Sequence, residues 1–364
     1  MQTKPIRILQ IIPSAYQGSG ILQVVLNWHR NMDRTKIQFD YLFSKPITDN
    51  SARAEIESLS GRVYELPHPY QHPIKFLKET FLFFKNNRYC TVHSHMTNLN
   101  LFFYPLAKLF GTKNIIQHAH GTKWSDKKIN GWRNYLMLHA VWPLITHKLA
   151  CSQEAGKVFF GNNFKVIKNG IDLKKFSYHE EIRIAKRKEL NLENDFVIGH
   201  IGRFSNEKNH KFLIDIFENI IRIEPYAKLV LVGSGPMEKE IREYVKSKKL
   251  EENIIFLGVC KNLSELYNIL DVFCLPSLHE GMPLVALEAQ CCGISCLFSD
   301  TMSEEVLVSA NSKMLSLRES PKIWAKQILT FKNIKRQSGV QYLKIKGFDI
   351  KDITKRMEEI YGVK

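Results

Sequence analysis

Short apolar segments alternate with amphipathic segments along the whole chain. The apolar segments have the length of buried β-strands and are rich in Ile, Val, Leu and Phe. Twelve of them are strand candidates: Ile6–Ile12, Phe39–Phe43, Val63–Leu66, Thr91–His95, Asn114–His118, Lys148–Cys151, Lys165–Ile167, Phe196–Ile201, Lys228–Val232, Ile254–Leu257, Val272–Leu275 and Ser295–Phe298. Because strands that alternate with helical segments form parallel sheets with crossover helices, the pattern predicts an α/β protein with two doubly wound, Rossmann-like sheets.

The chain has 364 residues, which is too long for one ordinary hydrophobic core. We expect a first domain over residues 1–173, a second over 174–345, and a last helical segment over 346–364. We expect the helix of that segment to pack back on the first domain, because its apolar residues form one stripe: Ile350, Ile353, Met357, Ile360 and Tyr361. Ligands of open α/β sheets bind at the carboxyl ends of the strands, so we expect the site in a cleft where the two domains face each other.

We expect no targeting signal in this sequence. Its first apolar stretch is short and lacks a small-residue cleavage site, and no run approaches the roughly 18 apolar residues of a membrane span. Seven cysteines form no C-x-x-C pair, which favours buried thiols in a reducing compartment over disulfides or zinc. These features predict a cytoplasmic protein.

The net charge of +16 is concentrated in the first half of the chain. Residues 1–174 hold 23 Lys and Arg against 10 Asp and Glu, whereas the remainder holds 29 against 26. A basic first domain suggests an anionic partner, such as phosphates, acidic lipid headgroups or nucleic acid. High lysine usage throughout a genome is the alternative explanation.

The segment from Leu275 to Gly293 contains the strongest motif. A strand ends at Leu275, and a helix begins near Pro283, because proline is tolerated in a first helical turn. Amides at the start of that helix favour phosphate, whereas carboxylates near a phosphate are costly unless they accept hydrogen bonds from hydroxyls. We therefore expect Glu280 to accept from a sugar hydroxyl and Glu288 from a ribose diol. The phosphate-binding stretch is predicted to comprise Gly281, Met282, Pro283, Leu284 and Val285.

A second motif, GHIGRFSNEKNH, spans residues 199–210. A strand ends before Arg203, and Lys208 follows across a tight turn, so both cations can face one anion. Two cations there would bind a diphosphate and stabilise it as a leaving group. No pair of aspartates accompanies them, so we expect no metal and no other cofactor.

Two glycine pairs follow strands. Gly233 and Gly235 resemble a phosphate loop, but a lone G-x-G is weak, and a tight turn that allows close helix packing is the favoured interpretation. Gly18 and Gly20 lack the third glycine of a dinucleotide fingerprint, where Gln23 stands. We expect this loop to approach the diphosphate or the acceptor.

Four histidines lie at two strand ends, in VHSH and QHAHG. No carboxylate or cysteine ligand accompanies them, so a metal site is not expected. His120, which precedes Gly121, is the candidate catalytic residue, as a hydrogen-bond donor to the sugar or to developing charge. We expect His93, His95 and His118 to be packed and hydrogen-bonded.

Residues 72–89 and 127–142 mix aromatic and basic side chains. This composition is typical of helices that lie on a membrane surface. It is equally typical of helices with one buried face and a solvated rim, and the sequence leaves both interpretations open.

Together these motifs resemble the retaining glycosyltransferases of family four, which have the GT-B fold. The resemblance extends along essentially the whole chain and is closest to bacterial capsular and exopolysaccharide enzymes. Seven matches occur in order: the glycines at 18–20, His120-Gly121, Asn169-Gly170-Ile171-Asp172, Gly202-Arg203 with Glu207-Lys208-Asn209, Gly233-x-Gly235-Pro236, Phe256-Leu257-Gly258, and Glu280 to Glu288.

The resemblance implies a hexosyl- or N-acetylhexosaminyl-transferase. It implies that Arg203 and Lys208 hold the diphosphate, that Glu280 and His120 lie beside the donor sugar and Glu288 on the ribose, and that residues near Gly258 and Val259 contact the base. The implied donor is a UDP-sugar, and the implied acceptor is a saccharide, carried in particular on polyprenyl diphosphate. The first loop departs from the family pattern, because it has Gly-Ser-Gly in place of Gly-Gly.

The resemblance also implies metal-independent, front-face transfer, in which positioning and stabilisation of the leaving group supply the catalysis. The expected location is the cytoplasm, with peripheral contact to the anionic inner face of the membrane. A GT-B nucleotide-sugar epimerase is an alternative enzyme. A basic nucleic-acid-binding protein is the alternative from another class, but the usual nucleic-acid motifs are absent from the sequence, and no nucleic-acid partner is expected.

Overall fold

The structure is a computed structural model that describes residues 4–13, 19–48, 50–125, 128–260 and 262–362. The chain forms two units, one of Met1–Gly170 with Ile350–Lys364 and one of Ile171–Asp349. The chain therefore passes from one unit to the other after Gly170 and again after Asp349, whereas the sequence predicted these boundaries after residues 173 and 345. The two connecting segments lie side by side in the second unit, since the amide of Ile171 donates to the Phe348 carbonyl at 3.0 Å.

The described residues of the first unit form a sheet of seven strands whose pairings are all parallel. The strand order is β3-β2-β1-β4-β5-β6-β7, so the direction of winding reverses between β1 and β4. The strands are β1 (Ile6–Ile12), β2 (Ile37–Phe43), β3 (Arg62–Glu65), β4 (Thr91–Ser94), β5 (Asn114–Ala119), β6 (His147–Ala150) and β7 (Lys165–Val166). Every residue of β2 and β4 is buried, as expected for a parallel sheet covered on both faces.

Seven α-helices accompany this sheet in the described residues. They are α1 (Gly20–Asn31), α2 (Asn50–Ser58), α3 (Pro73–Asn86), α4 (Asn100–Leu109), α5 (Lys128–Ala140), α6 (Gln153–Phe160) and, from the end of the chain, α14 (Ile350–Ile360). The last helix packs on α1, and a Cβ at Gly170 would lie 2.6 Å from the Ile353 side chain. Its apolar stripe is thus buried in the first unit, as its spacing predicted, except for the partly exposed Ile360.

In the second unit, the residues that the structure describes form six parallel strands in the order β10-β9-β8-β11-β12-β13. The strands are β8 (Phe196–Ile201), β9 (Ala227–Val232), β10 (Ile254–Gly258), β11 (Val272–Leu275), β12 (Ser295–Ser299) and β13 (Ser312–Leu315). The helices are α7 (Glu180–Glu189), α8 (His210–Ile221), α9 (Glu238–Ser247), α10 (Leu263–Ile269), α11 (Leu284–Cys291), α12 (Pro321–Leu329) and α13 (Val340–Ile345). The edge strand β13 was not predicted, because the short segment SKML has no apolar run.

Alternate residues of each central strand of the second unit enter two separate cores. Val197, Phe273 and Cys296 pack into the core on one face of the sheet. Ile198 and Cys274 pack into the core on the other face. This alternation is what the two-residue period of a strand requires when helices cover both faces, so the prediction of two doubly wound, Rossmann-like sheets is confirmed.

All seven cysteines are free thiols, and five of them are buried. Burial raises the pKa of the Cys291 thiol to about 12 and that of the Cys292 thiol to about 11. Among the described residues, no helix is both long and apolar enough to cross a membrane.

Candidate functional site

An ion pair lies where the strand order of the second sheet reverses, between β8 and β11. Lys208 ends a 3₁₀ turn in the loop after β8, and its Nζ donates to Oε1 of Glu280, which lies in the loop after β11. The Ser277 hydroxyl donates to the same oxygen at 3.2 Å. Both charged side chains are about one-sixth exposed, at 16% and 17%, so water screens the pair only partly. Such reversal points are where open α/β sheets bind ligands.

The two loops that carry this pair are bonded to each other through the backbone. The amide of Leu278 donates to the Glu207 carbonyl at 2.7 Å, and the Asn209 side-chain amide donates to the Pro276 carbonyl at 3.1 Å. Asn209 has a left-handed backbone with φ of 56°, a conformation that asparagine tolerates better than most residues. These bonds place Lys208 opposite Glu280 before any ligand arrives.

Arg203 lies in the same loop as Lys208 and is partly exposed. A hydrogen bond from the Ser205 side chain lowers the pKa of Glu207, and the positive charges of Arg203 and Lys208 lower it further. Both of the cations that the sequence predicted for a diphosphate therefore lie within electrostatic range of Glu207.

The glycines at 233 and 235 allow the loops after β8 and β9 to touch. A Cβ at Gly233 would lie 2.1 Å from the Gly202 carbonyl oxygen, and a Cβ at Gly235 would lie 2.4 Å from that of Phe204. The Phe204 amide donates to the Ser234 carbonyl at 3.0 Å across the same contact. This agrees with the tight-turn interpretation, because side chains at these positions would separate the loops.

The helix α11 begins at Leu284, with Pro283 before it in an extended conformation. Amides in a first helical turn lack acceptors within the helix, so this end of α11 favours anions. Glu288, further along α11, is only 6% exposed, and its Oε2 accepts a hydrogen bond from the Tyr267 hydroxyl at 2.8 Å. Burial raises the pKa of Tyr267, and the adjacent Glu288 carboxylate raises it further, so the phenol stays a donor.

The remaining donor-site candidates of the second unit lie in the loops that follow the strands. Met282 is buried, and Gly281 lies beside Glu280. Gly258 ends β10 with φ of 64° and accepts a 2.7 Å hydrogen bond from the Gly233 amide. Val259 follows it with 47% of its surface exposed, so its side chain is accessible for contact with a flat apolar group.

In the first unit, four histidines form one cluster at the ends of β4 and β5. His93, His95 and His118 are buried, as predicted, and His120 is partly exposed. His93 Nε2 lies 3.3 Å from His118 Nδ1, and His95 Nδ1 lies 2.8 Å from His120 Nε2. Trp28 of α1 stacks on His93 and on His118.

Three of these histidines, His93, His95 and His118, have one nitrogen each within 4.8 Å of the others, a spacing that a metal ion could bridge. The hydrogen bonds of the structure already use five of their six ring nitrogens. Of these six ring nitrogens, His118 Nε2 alone is buried without a hydrogen-bond partner among the described residues. The cluster is therefore arranged as a hydrogen-bond network.

Gly18 lies outside the described residues. Gly20 opens α1, and a Cβ there would meet nothing within 4 Å. The predicted contact of this loop with a diphosphate or an acceptor stays a prediction.

A family model described as glycosyl transferases group 1 matches residues 182–339. EpsF of Bacillus subtilis (strain 168), whose name marks it provisionally as a glycosyltransferase, is 32% identical over 343 residues, which cover 90% of this chain and 88% of EpsF. The chain belongs to the glycosyl transferases group 1 family.

Two further similarities bear on the fold and on the chemistry of relatives. The Escherichia coli UDP-Gal:alpha-D-GlcNAc-diphosphoundecaprenol alpha-1,3-galactosyltransferase is 28% identical over 247 residues, 65% of this chain and 64% of that enzyme. The crystal structure of Anabaena HepE in complex with UDP and glucose matches with a TM-score of 0.80 at 18% identity, over 98% of this chain and 99% of HepE. This chain thus has the GT-B fold that the resemblance of its motifs implied.

Sequence reasoning missed three residues that orient the candidate groups of this glycosyltransferase. Tyr267 binds Glu288, and Gln10 and Tyr361 bond to the histidine cluster. Gln10 carried a usable signal, because it is polar in the middle of the apolar run of β1 and a buried polar group needs a partner. Tyr361 belonged to the predicted apolar stripe of the last helix, but nothing in the sequence indicated that its hydroxyl bonds to Gln10, which is 351 residues away.

Proposed function

We propose that this group 1 glycosyltransferase moves a hexosyl or N-acetylhexosaminyl group from a UDP-sugar to a saccharide, with retention of anomeric configuration. The observation that carries the proposal is the pairing of Lys208 with Glu280 at the reversal of strand order in the second sheet. A cation and a carboxylate held together there match the two parts of a nucleotide sugar, because the diphosphate is anionic and the sugar offers hydroxyl donors.

The other donor contacts are proposed from the resemblance of their motifs to those of the family. Arg203 would bind the diphosphate with Lys208, and the first-turn amides of α11 would bind a phosphate oxygen. Glu288 would accept from the ribose diol, with its carboxylate already oriented by Tyr267. Gly258 and Val259 would contact the base, and His120 of the first unit would contact the sugar.

In the proposed reaction, the acceptor hydroxyl attacks the anomeric carbon on the face from which the diphosphate departs. The bond from that carbon to the diphosphate oxygen breaks, the bond to the acceptor oxygen forms, and the acceptor proton passes to the departing phosphate. Arg203 and Lys208 would stabilise the charge that develops on the leaving group. Two fixed cations can do the work that a divalent ion does in other transferases, so we propose metal-independent catalysis.

The proposed acceptor is a saccharide carried on polyprenyl diphosphate, an intermediate of capsular or exopolysaccharide synthesis. The name of the Escherichia coli relative specifies a UDP-Gal donor and a diphosphoundecaprenol-linked acceptor. The HepE complex with UDP and glucose supports a UDP-sugar donor. The excess of basic residues in the first half of the chain favours an anionic acceptor.

A panel of UDP-, GDP- and dTDP-linked sugars tests the donor. Each sugar is scored by the thermal shift of the protein and by slow donor hydrolysis, with EDTA and with Mg²⁺. We expect one donor to stabilise the wild type equally in both conditions. Lys208→Met should lower the affinity for that donor at least tenfold, since a hydrogen bond to a charged group contributes about 1.5–3 kcal/mol.

Lys211→Met is the matched control, because Lys211 lies three residues away and pairs with Glu240 on the surface. In Glu280→Gln, the sugar part of the donor should no longer add to the thermal shift. UDP alone should bind as well as to the wild type or more tightly, because the carboxylate no longer competes with the diphosphate for Lys208. The proposal fails if no nucleotide sugar stabilises the protein, or if the two lysine variants behave alike. Conversion of the donor without an acceptor would identify an epimerase, and an inverted product would exclude retention.

We further propose that the first unit contacts the anionic cytoplasmic face of the membrane. The helix α3 buries one side, including Phe76 and Phe84, and leaves a second apolar stripe exposed between lysines. The helix α5 exposes a similar stripe. The exposed apolar residues are Ile74, Leu77 and Phe81 of α3 and Ile129, Trp132 and Leu136 of α5. Apolar stripes flanked by basic residues bind the interface of anionic membranes.

Sedimentation with vesicles tests this contact. The wild type should bind phosphatidylglycerol vesicles and not phosphatidylcholine vesicles, and added salt should weaken the binding. The double substitution Leu77→Glu with Trp132→Glu should abolish it. The matched control, Ile223→Glu with Tyr226→Glu, alters exposed apolar residues of the second unit and should bind as the wild type does. Equal binding by both double variants would contradict the proposed surface.

A further inference from the structure

The histidine cluster is connected by hydrogen bonds to β1 and to the residue that follows the last helix. Gln10 of β1 lies between them: its Nε2 donates to the Tyr361 hydroxyl at 3.0 Å, and its Oε1 is 2.9 Å from His95 Nε2. The Tyr361 oxygen is 2.8 Å from His93 Nδ1. Gln10 and Tyr361 are fully or almost fully buried, so water does not compete for these bonds.

The direction of each bond follows from Gln10. Its Oε1 can only accept, so His95 donates from Nε2 and, when neutral, has a bare Nδ1. His120 must then donate from its own Nε2 to His95, which leaves Nδ1 of His120 with a lone pair. On the other side, the Gln10 amide donates to Tyr361, so the phenol gives its only proton to His93.

Burial keeps the histidines neutral, as this chain of bonds requires. It lowers the pKa of His120 to about 4, and it lowers the pKa of His93, His95 and His118 well below the ordinary value. Of the four, only His120 is partly exposed, and its Nδ1 makes no hydrogen bond within the described part of the chain. The bare nitrogen is therefore left for a ligand.

We propose that Gln10, His95 and Tyr361 are positioning residues that hold His120 as its Nε2–H tautomer, so that Nδ1 of His120 accepts a hydrogen bond from a hydroxyl of a bound sugar. This inference rests on the proposed function for the identity of the ligand. It changes the role expected from the sequence, in which His120 was a donor. A histidine with this tautomer selects a sugar that presents a hydroxyl at that point over one that presents only an acceptor.

The tautomer is measured directly, without any ligand, by ¹⁵N NMR of protein labelled at histidine. Long-range proton–nitrogen correlations distinguish a protonated from a bare ring nitrogen. In the wild type we expect His95 and His120 to be protonated at Nε2 only, with assignment by His120→Asn. A proton on Nδ1 of His120 would overturn the inference, since turning the Gln10 amide by 180° reverses every bond of the chain.

Two variants test the role of the positioning residues. Gln10→Met removes the acceptor of His95 at nearly constant volume, so the Nδ1–H form of His120 should appear. Tyr361→Phe removes only a hydroxyl, and it should produce the same form to a smaller extent. Gln117→Met is the matched control, because Gln117 of β5 is equally buried but bonds to Asn100, Tyr104 and Met96 instead. An unchanged His120 tautomer in both Gln10→Met and Tyr361→Phe would contradict the positioning role.

The role of His120 Nδ1 as a hydrogen-bond acceptor is tested with the nucleotide sugar that the panel identifies as the substrate. His120→Asn keeps an oxygen near the position of Nδ1, whereas His120→Gln keeps the link to His95 and loses the group at Nδ1. We expect turnover to be at least tenfold higher in His120→Asn than in His120→Gln, and the reverse order would exclude an acceptor at Nδ1. If no nucleotide sugar is a donor, the proposed function fails while the NMR result still decides the tautomer.

Discussion

A methyl group added at Gly233 tests whether the loop after β9 holds the neighbouring loops in place or binds phosphate itself. Gly233 has φ of +135°, and a Cβ there would lie 2.1 Å from the carbonyl oxygen of Gly202. Its amide also donates to the Gly258 carbonyl at 2.7 Å. Gly233→Ala must therefore push apart the loops after β8 and β9, and the first of these loops carries Arg203 and Lys208.

The expected cost has two parts. A non-glycine residue in this sparsely populated backbone region costs about 1–3 kcal/mol, and overpacking against backbone costs about 1–3 kcal/mol more, so we expect a loss of about 4 kcal/mol in the free energy of unfolding. Gly258→Ala is the matched control. Gly258 also has positive φ, of +64°, but a Cβ there would meet nothing within 4 Å, so only the backbone cost of about 1–2 kcal/mol applies.

Trp324 allows the unfolding of the second unit to be followed separately. It is the only tryptophan in Ile171–Asp349, it is fully buried, and its indole donates to the Ser316 carbonyl at 3.0 Å. Protein labelled with 5-fluorotryptophan is titrated with urea, and the ¹⁹F resonance of Trp324 gives the free energy of unfolding. Binding of the nucleotide sugar is measured on the same samples at urea concentrations below those of the unfolding transition.

We expect Gly233→Ala to be less stable than Gly258→Ala by about 2–3 kcal/mol, the difference between the two costs above. The reasoning would be refuted if both variants were equally stable while Gly233→Ala alone lost nucleotide binding. That result would identify the loop as a phosphate loop.

Three further predictions concern buried polar groups. Tyr267→Phe should lower the free energy of unfolding by about 1.5–3 kcal/mol, since it removes a hydrogen bond to the Glu288 carboxylate. The carboxylate, no longer oriented by the phenol, should also bind the nucleotide sugar more weakly; urea titration and calorimetric titration check these two effects. Asp40→Asn should lower the free energy of unfolding by about 3 kcal/mol or more, because Asp40 is fully buried beside Arg7, and thermal unfolding measures the loss. Burial lowers the pKa of His29 from 6.5 to about 4, so the unfolded chain takes up the proton first as the pH falls. The free energy of unfolding should have its full value above pH 6.5 and should fall as the pH is lowered from 6.5 to 4. Urea titrations should show a smaller fall for His29→Gln.

Most of the fold was predictable from local pattern. Strands such as Ile6–Ile12 and Phe196–Ile201 are mostly apolar runs between helical segments, and this pattern indicates parallel sheets that are covered on both faces. The edge strand β13 was not predictable, because only its neighbour β12 distinguishes Ser312–Leu315 from a loop. That segment is a strand because it pairs with β12, and its sequence has no apolar periodicity that would indicate one.

The candidate donor site was predictable in its residue types and not in its contacts. The motifs around Lys208 and Glu280 identified a cation and a carboxylate, but 72 residues separate them, and their ion pair depends on strands β8 and β11 being neighbours. Burial of Glu288 against Tyr267 likewise depends on how α10 packs on α11. A sequence pattern does not specify which distant side chains become partners.

The sequence alone determined the two doubly wound sheets, the motifs of a group 1 glycosyltransferase and the candidate residues at the ends of the strands. Tertiary structure decided how those residues are oriented: Lys208 is paired with Glu280, and His120 is bonded through His95 to Gln10. The reason is physical. Periodicity and turn residues act over a few neighbours and are visible in any short window of sequence, whereas a tautomer or an ion pair depends on atoms that meet only after the whole sheet has formed.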